Sequence, residues 1–153
     1  MPKRSAGILL HRRGEVLLVH PGGPFWAKRD DGAWSIPKGE YEDGEDPQAA
    51  ARREFEEELG SALPDDAELR PLGEVKQKSG KIVSAWAVAG DLDVTEITSN
   101  TIEVQWPPRS GKVLEIPEVD RAEWFGIQQA REKINAAQAE LLDRLAEILG
   151  PTE

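Results

Sequence analysis

An α/β (α+β) fold, with a mixed central β-sheet sandwiched between helices, is the architecture this sequence predicts. Three observations carry it. Short aliphatic runs precede a helical stretch near residue 50, more such runs follow it, and a second helical stretch closes the chain. No period of roughly 20–50 residues repeats, so a solenoid or propeller is excluded. No segment of low complexity divides the chain, so residues 1–153 are expected to form one domain.

The elements follow in order. The runs "SAGILLH" and "EVLLVH" are separated by "RRG", which predicts a hairpin turning at Gly14. "PGGPFWAKRDDG" is rich in turn formers and is expected to be a loop, and "AWSIP" a short strand ended by Pro37. Asp46-Pro47 opens a helix, with Asp46 as N-cap and Pro47 in the first turn, and Gly60 closes it. "ELRPLGEVKQ" and "KIVSAWAVAG" are expected to pair around Ser79-Gly80. "TIEVQW" is a further strand, "PPRSGKVLEIPEVD" a loop and "AEWFGI" a strand. In "AREKINAAQAELLDRLAEILG", Ile134, Leu141, Leu145 and Ile148 share a helical face, and Gly150-Pro151 stops the helix.

Composition narrows the function. The net charge of −10 argues against nonspecific nucleic-acid binding, which needs a basic surface. No run approaches the roughly 20 apolar residues that cross a bilayer, so no membrane partner is expected. The apolar run in "MPKRSAGILLHRRG" is too short for a signal peptide and reads as the first strand. The absence of cysteine excludes disulfides and thiolate chemistry and is compatible with the cytoplasm, the expected location. Monomer and homodimer both remain open.

The most informative stretch is "GEYEDGEDPQAAARREFEEELG", from Gly39 to Gly60, with nine carboxylates. On a helix, Glu54, Glu57 and Glu58 are spaced i, i+3 and i+4 and share one arc, while Ala51, Phe55 and Leu59 form an apolar stripe and Glu56 points to solvent. Like charges at this spacing cost about 0.2–0.5 kcal/mol per pair, and carboxylates near a helix C-terminus oppose its dipole by about 0.3–1 kcal/mol each. A purely structural helix sheds such a conflict by substitution; a functional one keeps it. A hard divalent cation resolves the conflict, because Mg²⁺ takes oxygen ligands and a few carboxylates. An ordinary solvated acidic face is the alternative that the helix alone leaves open.

The surrounding pattern separates these alternatives. Gly39, five residues, Glu45, seven residues, then Arg53-Glu54-Phe55-x-Glu57-Glu58-x-Gly60 resembles the Nudix box, with Ser61 where that family usually has an aliphatic residue. The resemblance implies a Nudix-type α/β/α sandwich and a hydrolase that splits a diphosphate bond in nucleotide substrates. It assigns Glu54, Glu57 and Glu58 to Mg²⁺ (or Mn²⁺), with one of them as a candidate base, and adds the backbone carbonyl of Lys38 as a ligand. Arg53 and Glu45 would fix the loop on the helix, and Gly39 would permit a tight backbone beside it.

Sequence outside the box bears on the substrate. "WSIPKGE" is similar to the Trp-x-x-Pro-Lys-Gly of that family's diadenosine tetraphosphate (Ap4A) hydrolases, and "SAGILLHRRG" and "KIVSAWAVAGDLDV" resemble their flanking strands. "EIPEVDRAEWF" resembles their Glu-x5-Trp segment, which makes Glu118 a fourth catalytic or metal-binding carboxylate, with Glu103 and Glu115 as rivals. A long anionic substrate also needs cations: Lys38, Lys81, Arg109 and Lys112 are assigned to it, with Lys76 and Lys78 nearby and "PPRSGK" as a phosphate-gripping loop. Phe25, Trp26, Trp86 and Trp106 offer rings for an adenine, and the Pro/Gly-rich surroundings single out Phe25 and Trp26 as exposed. His20 is expected to make a strand-end hydrogen bond in preference to touching phosphate.

The expected partner is thus a small-molecule nucleotide, with Ap4A cut asymmetrically to ATP and AMP. The loops from His20 to Gly32 and from Pro107 to Glu118 exceed what that substrate requires, which leaves nucleoside triphosphates and inositol pyrophosphates as alternatives. A noncatalytic acidic module that binds metal or nucleotide through "EYEDGED" is the non-enzyme alternative, although that loop lacks the ligand order of a helix–loop–helix calcium site.

Overall fold

The computed structural model describes residues 3–150. Strand β1 (Arg4–Arg12) turns at Arg13-Gly14 into β2 (Glu15–Pro21), as the sequence predicts, and Gly14 takes the positive φ of 79° that the turn demands. After a turn-rich loop come β3 (Lys38–Glu40) and helix α1 (Pro47–Leu59). Strands β4 (Arg70–Lys76) and β5 (Ile82–Ala89) form the second expected hairpin. A single-turn helix at Val94–Glu96 leads to β6 (Thr101–Gln105), β7 (Val113–Pro117) and β8 (Val119–Gly126). Helices α2 (Ile127–Lys133) and α3 (Ala139–Leu149) end the described chain.

The main sheet runs β4-β5-β1-β2-β8, with β3 added to the start of β1. It is mixed, since β1 and β5 are parallel and the other pairs antiparallel. Strands β1 and β2 are apolar on both faces because helices cover both. Ile8, Leu10, Leu17 and Val19 pack with Ala51, Phe55 and Leu59 of α1. The alternate residues Leu9, Val16 and Leu18 pack with Trp34, Phe125 and with Leu141, Leu142 and Leu145 of α3. The predicted α/β/α sandwich is therefore present.

Three element assignments need correction. "AWSIP" is no regular strand: Trp34 and Ser35 make only isolated bridges, and the strand proper begins at Lys38. Pro37 has no N–H and contributes only its carbonyl, which accepts from the Ile8 N–H at 3.1 Å, while the Ile36 N–H donates to the buried Oε1 of Gln138 at 3.0 Å. The C-terminal helix is broken at Ile134, which is extended (φ −74°, ψ 148°); Asn135 donates its N–H to the Trp34 carbonyl at 2.7 Å and caps the next turn through its side chain. Gly150 ends α3 as expected, and Pro151 lies outside the described residues. Finally, the expected loop from Pro107 to Glu118 contains β7, which pairs with β6 from Thr101↔Pro117 to Gln105↔Val113 as a separate two-stranded arm. Val113, Leu114 and Ile116 supply the β-branched and aliphatic residues that a strand favours.

Candidate active site

Helix α1 forms as its sequence dictates. The Asp46 carboxylate accepts from the Ala49 N–H at 2.9 Å, Pro47 occupies the first turn, and Gly60 ends the helix in the left-handed conformation. Its last carbonyls find partners beyond the helix: Thr98 N–H donates to Leu59 O at 3.2 Å and Asn100 N–H to Glu57 O at 2.8 Å. Where an aliphatic residue was expected at the helix exit, Ser61 and Ala62 are exposed and Leu63 is buried instead.

The helical register divides the glutamates as the wheel requires. Ala51, Phe55 and Leu59 are buried against the sheet, and Glu56 is exposed. Glu54 and Glu58 are buried too, at 8 % and 4 % exposure, beside β3, whereas Glu57 is solvent-accessible. Glu58 accepts from the Lys38 backbone N–H at 3.1 Å. The Glu54 carboxylate occupies the space a Cβ at residue 39 would need: an added Cβ there would sit 2.1 Å from it. A side chain at residue 39 would thus displace the Glu54 carboxylate from its place, and the φ of Gly39 is not among the positive ones. Arg53 ties the group together through an ion pair with Glu45, a contact to Glu54 at 3.3 Å and one to Glu57 at 3.7 Å.

Burial, above all, pushes the Glu58 carboxyl well above its ordinary pKa, and the charge of Glu118 adds to this against the Lys38 N–H and ammonium. Burial likewise raises Glu54, reinforced by Glu57 and Glu118 and opposed by Arg53. Lys38, half-buried, is lowered by desolvation and then by Lys81, with Glu58 and Glu118 pulling the other way. Among the described residues no group of three or more His, Asp or Glu side chains is placed so that it could hold a metal ion. What exists is an open ledge of hard oxygen donors, two of them in an environment that penalises their charge. Such a donor set fits a hard divalent cation, which restores favourable energy to the ionised forms.

A groove of about 230 Å³ runs past this ledge, lined by Glu58, Lys38 and Glu118 together with Trp26, Gln77 and Gln138. Glu118 enters it from the root of β8, and its backbone is held on both sides: its N–H donates to Asn100 O at 2.9 Å and its carbonyl accepts from Gly22 N–H at 3.0 Å. Glu103 and Glu115 instead face each other across the exposed arm. Lys81 pairs with Glu40 at 2.8 Å in an adjoining depression lined also by Lys3 and Lys76. Lys78 lines a further depression that shares Gln77 and Asn135 with the groove. Arg109 and Lys112 lie at the exposed tip of the arm and line none of these depressions.

Among the aromatics, Phe25 is 52 % exposed and Trp26 and Trp106 are half-buried, whereas Trp86 packs onto the α1 side of the core. His20 is fully buried and makes hydrogen bonds within the fold: Nδ1 lies 2.9 Å from Asp120 Oδ1, and Nε2 donates to the Arg29 carbonyl at 2.6 Å. Gln77, Gln138 and Asn135 line the groove without having been singled out in the sequence. An amide between apolar helix positions was the available signal, because a buried amide must find partners.

An α/β/α sandwich with an acidic helix set against a Lys-Gly strand is the class these features define. The chain belongs to the NUDIX domain family, whose model matches residues 1–145. Nudix hydrolases generally use divalent metals. Over 64 residues it is 44% identical to an RNA pyrophosphohydrolase of Rhodospirillum rubrum, a match spanning 39% of each protein. Over 29 residues it is 62% identical to Nudix hydrolase 25 of Arabidopsis thaliana, 19% of this chain and 17% of that one. The chain thus matches less than half the length of these curated relatives. Among solved structures, a C. elegans Ap4A hydrolase complex superposes with a TM-score of 0.66 at 21% identity, covering 95% of this chain and 97% of that one. A MutT NUDIX hydrolase from Burkholderia pseudomallei gives 0.61 at 22% identity, covering 95% and 98%. At these identities the likeness is one of fold.

Proposed function

We propose that this chain is a divalent-metal-dependent hydrolase that cleaves a diphosphate bond in nucleotides, with asymmetric cleavage of Ap4A to ATP and AMP as its leading activity. The observation that carries the reading is the burial of Glu54 and Glu58 on α1 beside Lys38-Gly39, with Glu118 facing Glu58 across one groove. Glu54, Glu57, Glu58 and the Lys38 carbonyl would hold Mg²⁺, for which Mn²⁺ can substitute. When bound, the cation neutralises the diphosphate and makes the attacking water more acidic. Glu118 accepts the proton from that water as its oxygen bonds to phosphorus and the bridging oxygen departs with the leaving phosphate. The Lys38 ammonium balances charge on the phosphoryl oxygens, while Lys81 is paired with Glu40 in the adjoining depression. Arg53 and Glu45 keep the loop before α1 in place.

Three of the five carboxylates of "EYEDGED" already serve the fold, Glu40 with Lys81, Glu45 with Arg53 and Asp46 as the helix cap. That counts against a calcium-binding module. A second reading, removal of pyrophosphate from a triphosphorylated RNA end, draws on the relative of that name, and the net charge of −10 weighs against an extended RNA interface. Incubation with Mg²⁺ and Ap4A, nucleoside triphosphates, an inositol pyrophosphate or a 5′-triphosphorylated oligonucleotide, followed by ion-exchange analysis, tests the proposal. ATP plus AMP from Ap4A is the expected result. Pyrophosphate release from the oligonucleotide or from the triphosphates redirects it, and no turnover of any of these overturns it.

A further inference from the structure

A second cleft, of about 430 Å³, opens beside the carboxylate groove, within the roughly 300–1,000 Å³ range of small-molecule sites. One wall is the loop after β2, with Phe25 and Trp26; the other is the arm, with Ile102, Trp106 and Ile116. Most of this surface is apolar, and Phe25 and Ile102 on its two walls remain exposed.

The two walls are built to meet. A Cβ at Gly22 would lie 2.1 Å from the Pro117 carbonyl oxygen, and one at Gly23 would lie 2.5 Å from the Ile116 side chain. Only glycine at both positions lets the loop rest directly on the arm. The Gly22 N–H then bonds the Glu118 carbonyl, so the floor of the cleft is the backbone of the residue whose side chain enters the groove. The aromatic wall is braced as well. Arg29 stacks its guanidinium 4.4 Å from the Phe25 ring centroid, and its own carbonyl is held by buried His20. Phe25 and Trp26 meet edge to face at 4.9 Å. At the far end, the Gln105 side-chain oxygen accepts from the Arg109 N–H at 2.9 Å, which fixes the amide with its NH₂ as a donor.

We infer that this cleft is the nucleobase site of the substrate, formed jointly by the Phe25-Trp26 loop and the β6–β7 arm. The inference rests on the nucleotide hydrolysis proposed above. Pro21, Trp26 and Glu118 line both the cleft and the groove, so a base in the one is continuous with a phosphate chain in the other. Stacking against rings and aliphatic walls holds any aromatic base, and the Gln105 amide favours bases that present an acceptor at their edge.

The test compares probes with and without a base. Binding of AMP and of ribose 5-phosphate is measured by tryptophan fluorescence or calorimetry on the full chain, and hydrolysis of ATP or Ap4A is compared with that of inorganic tripolyphosphate. Phe25→Ala and Trp106→Ala should each weaken AMP binding about ten- to a hundredfold, the range of one lost base stack. Ribose 5-phosphate binding and tripolyphosphate turnover should be unchanged, and the loss on nucleotides should fall on KM. Phe25→Leu, which keeps the apolar wall, should retain part of the affinity if either alanine variant misfolds. Parent-like AMP binding in both alanine variants, or equal losses with the base-free probes, overturns the inference. Because AMP binding needs no turnover, a chain that hydrolyses none of these compounds would sink the proposed reaction and still report on the cleft.

Discussion

Helix α1, which lines the carboxylate groove, and the β6–β7 arm, which walls the cleft beside it, are held in opposite ways. The helix buries Ala50, Ala51, Phe55 and Leu59 in the sheet, and burying a side chain such as Phe or Leu contributes roughly 1.5–3 kcal/mol. That anchorage is enough to keep Glu54 and Glu58 buried where their charge is disfavoured. The arm has only Ile116 buried among the residues of its two strands, and is fixed at its root by main-chain hydrogen bonds. In the proposed reaction this difference would separate chemistry, which needs carboxylates at fixed positions, from selection of the substrate, which tolerates a more adjustable wall.

Substitutions on the helix should therefore act on turnover, and the largest effect is expected at the buried position. Glu58→Gln should lower kcat on the order of 10²–10⁴-fold, with Glu57→Gln following it. Activity near that of the parent in both variants would break the assignment of chemistry to α1. Stability should move the other way in the chelated protein. Because the Glu58 pKa is raised in the fold, the folded chain holds a proton that the unfolded chain has given up, in the window just above the ordinary carboxylate range. Folding stability therefore declines as pH rises through that window. Thermal melting with EDTA should show Glu58→Gln at least as stable as the parent at neutral pH, with the advantage shrinking as pH falls through that window towards the usual carboxylate pKa.

Glu118 sharpens the comparison because it stands where the two regions meet. Glu118→Gln should lower kcat by about a hundredfold with little change in KM, as expected for a group that matters mainly in the transition state. Glu103→Gln and Glu115→Gln, on the exposed arm, should behave as the parent does in the same steady-state assay. A crippled Glu115→Gln beside an active Glu118→Gln would transfer the role onto the arm. Smaller still is Arg109→Ala at the arm tip, which should raise KM by a few-fold at low salt and lose that effect as ionic strength increases. Least of all, Glu56→Gln should leave kcat within about twofold, since its carboxylate points to solvent one residue from the active arc.

The same division decides what could be read from the sequence. Helix α1 was legible down to its caps, because Asp46, Pro47, Gly60 and the glutamate spacing are local signals and the stripe of Ala51, Phe55 and Leu59 fixes the rotation. The arm was half legible. Proline and glycine in "PPRSGKVLEIP" signal the turn, but its partner strand is identified only by pairing at a distance, where local propensity is weak. The break at Ile134 escaped notice for a related reason: its cause is the Trp34 backbone, far away in sequence. Arg109 and Lys112 were assigned to the substrate on the expectation of a loop at the site; they stand at the exposed turn of a paired hairpin, a placement that only the long-range β6–β7 pairing defines. Trp106 was named among the rings, but its half-buried place on the cleft follows from the β6–β7 pairing that ends one residue before it.

The bond from Glu118 N–H to Asn100 O closes the arm at its base, so the chain leaves the body of the fold and returns to it at one point. An excursion closed in this way is a cassette. Its length and sequence can change between Thr101 and Pro117 while the helix end at Glu57 and the placement of Glu118 stay as they are, because each is secured outside the excursion. If the arm holds the base as inferred, a lineage, or an engineer, can exchange it to retune which base is accepted and leave the carboxylate ledge unaltered.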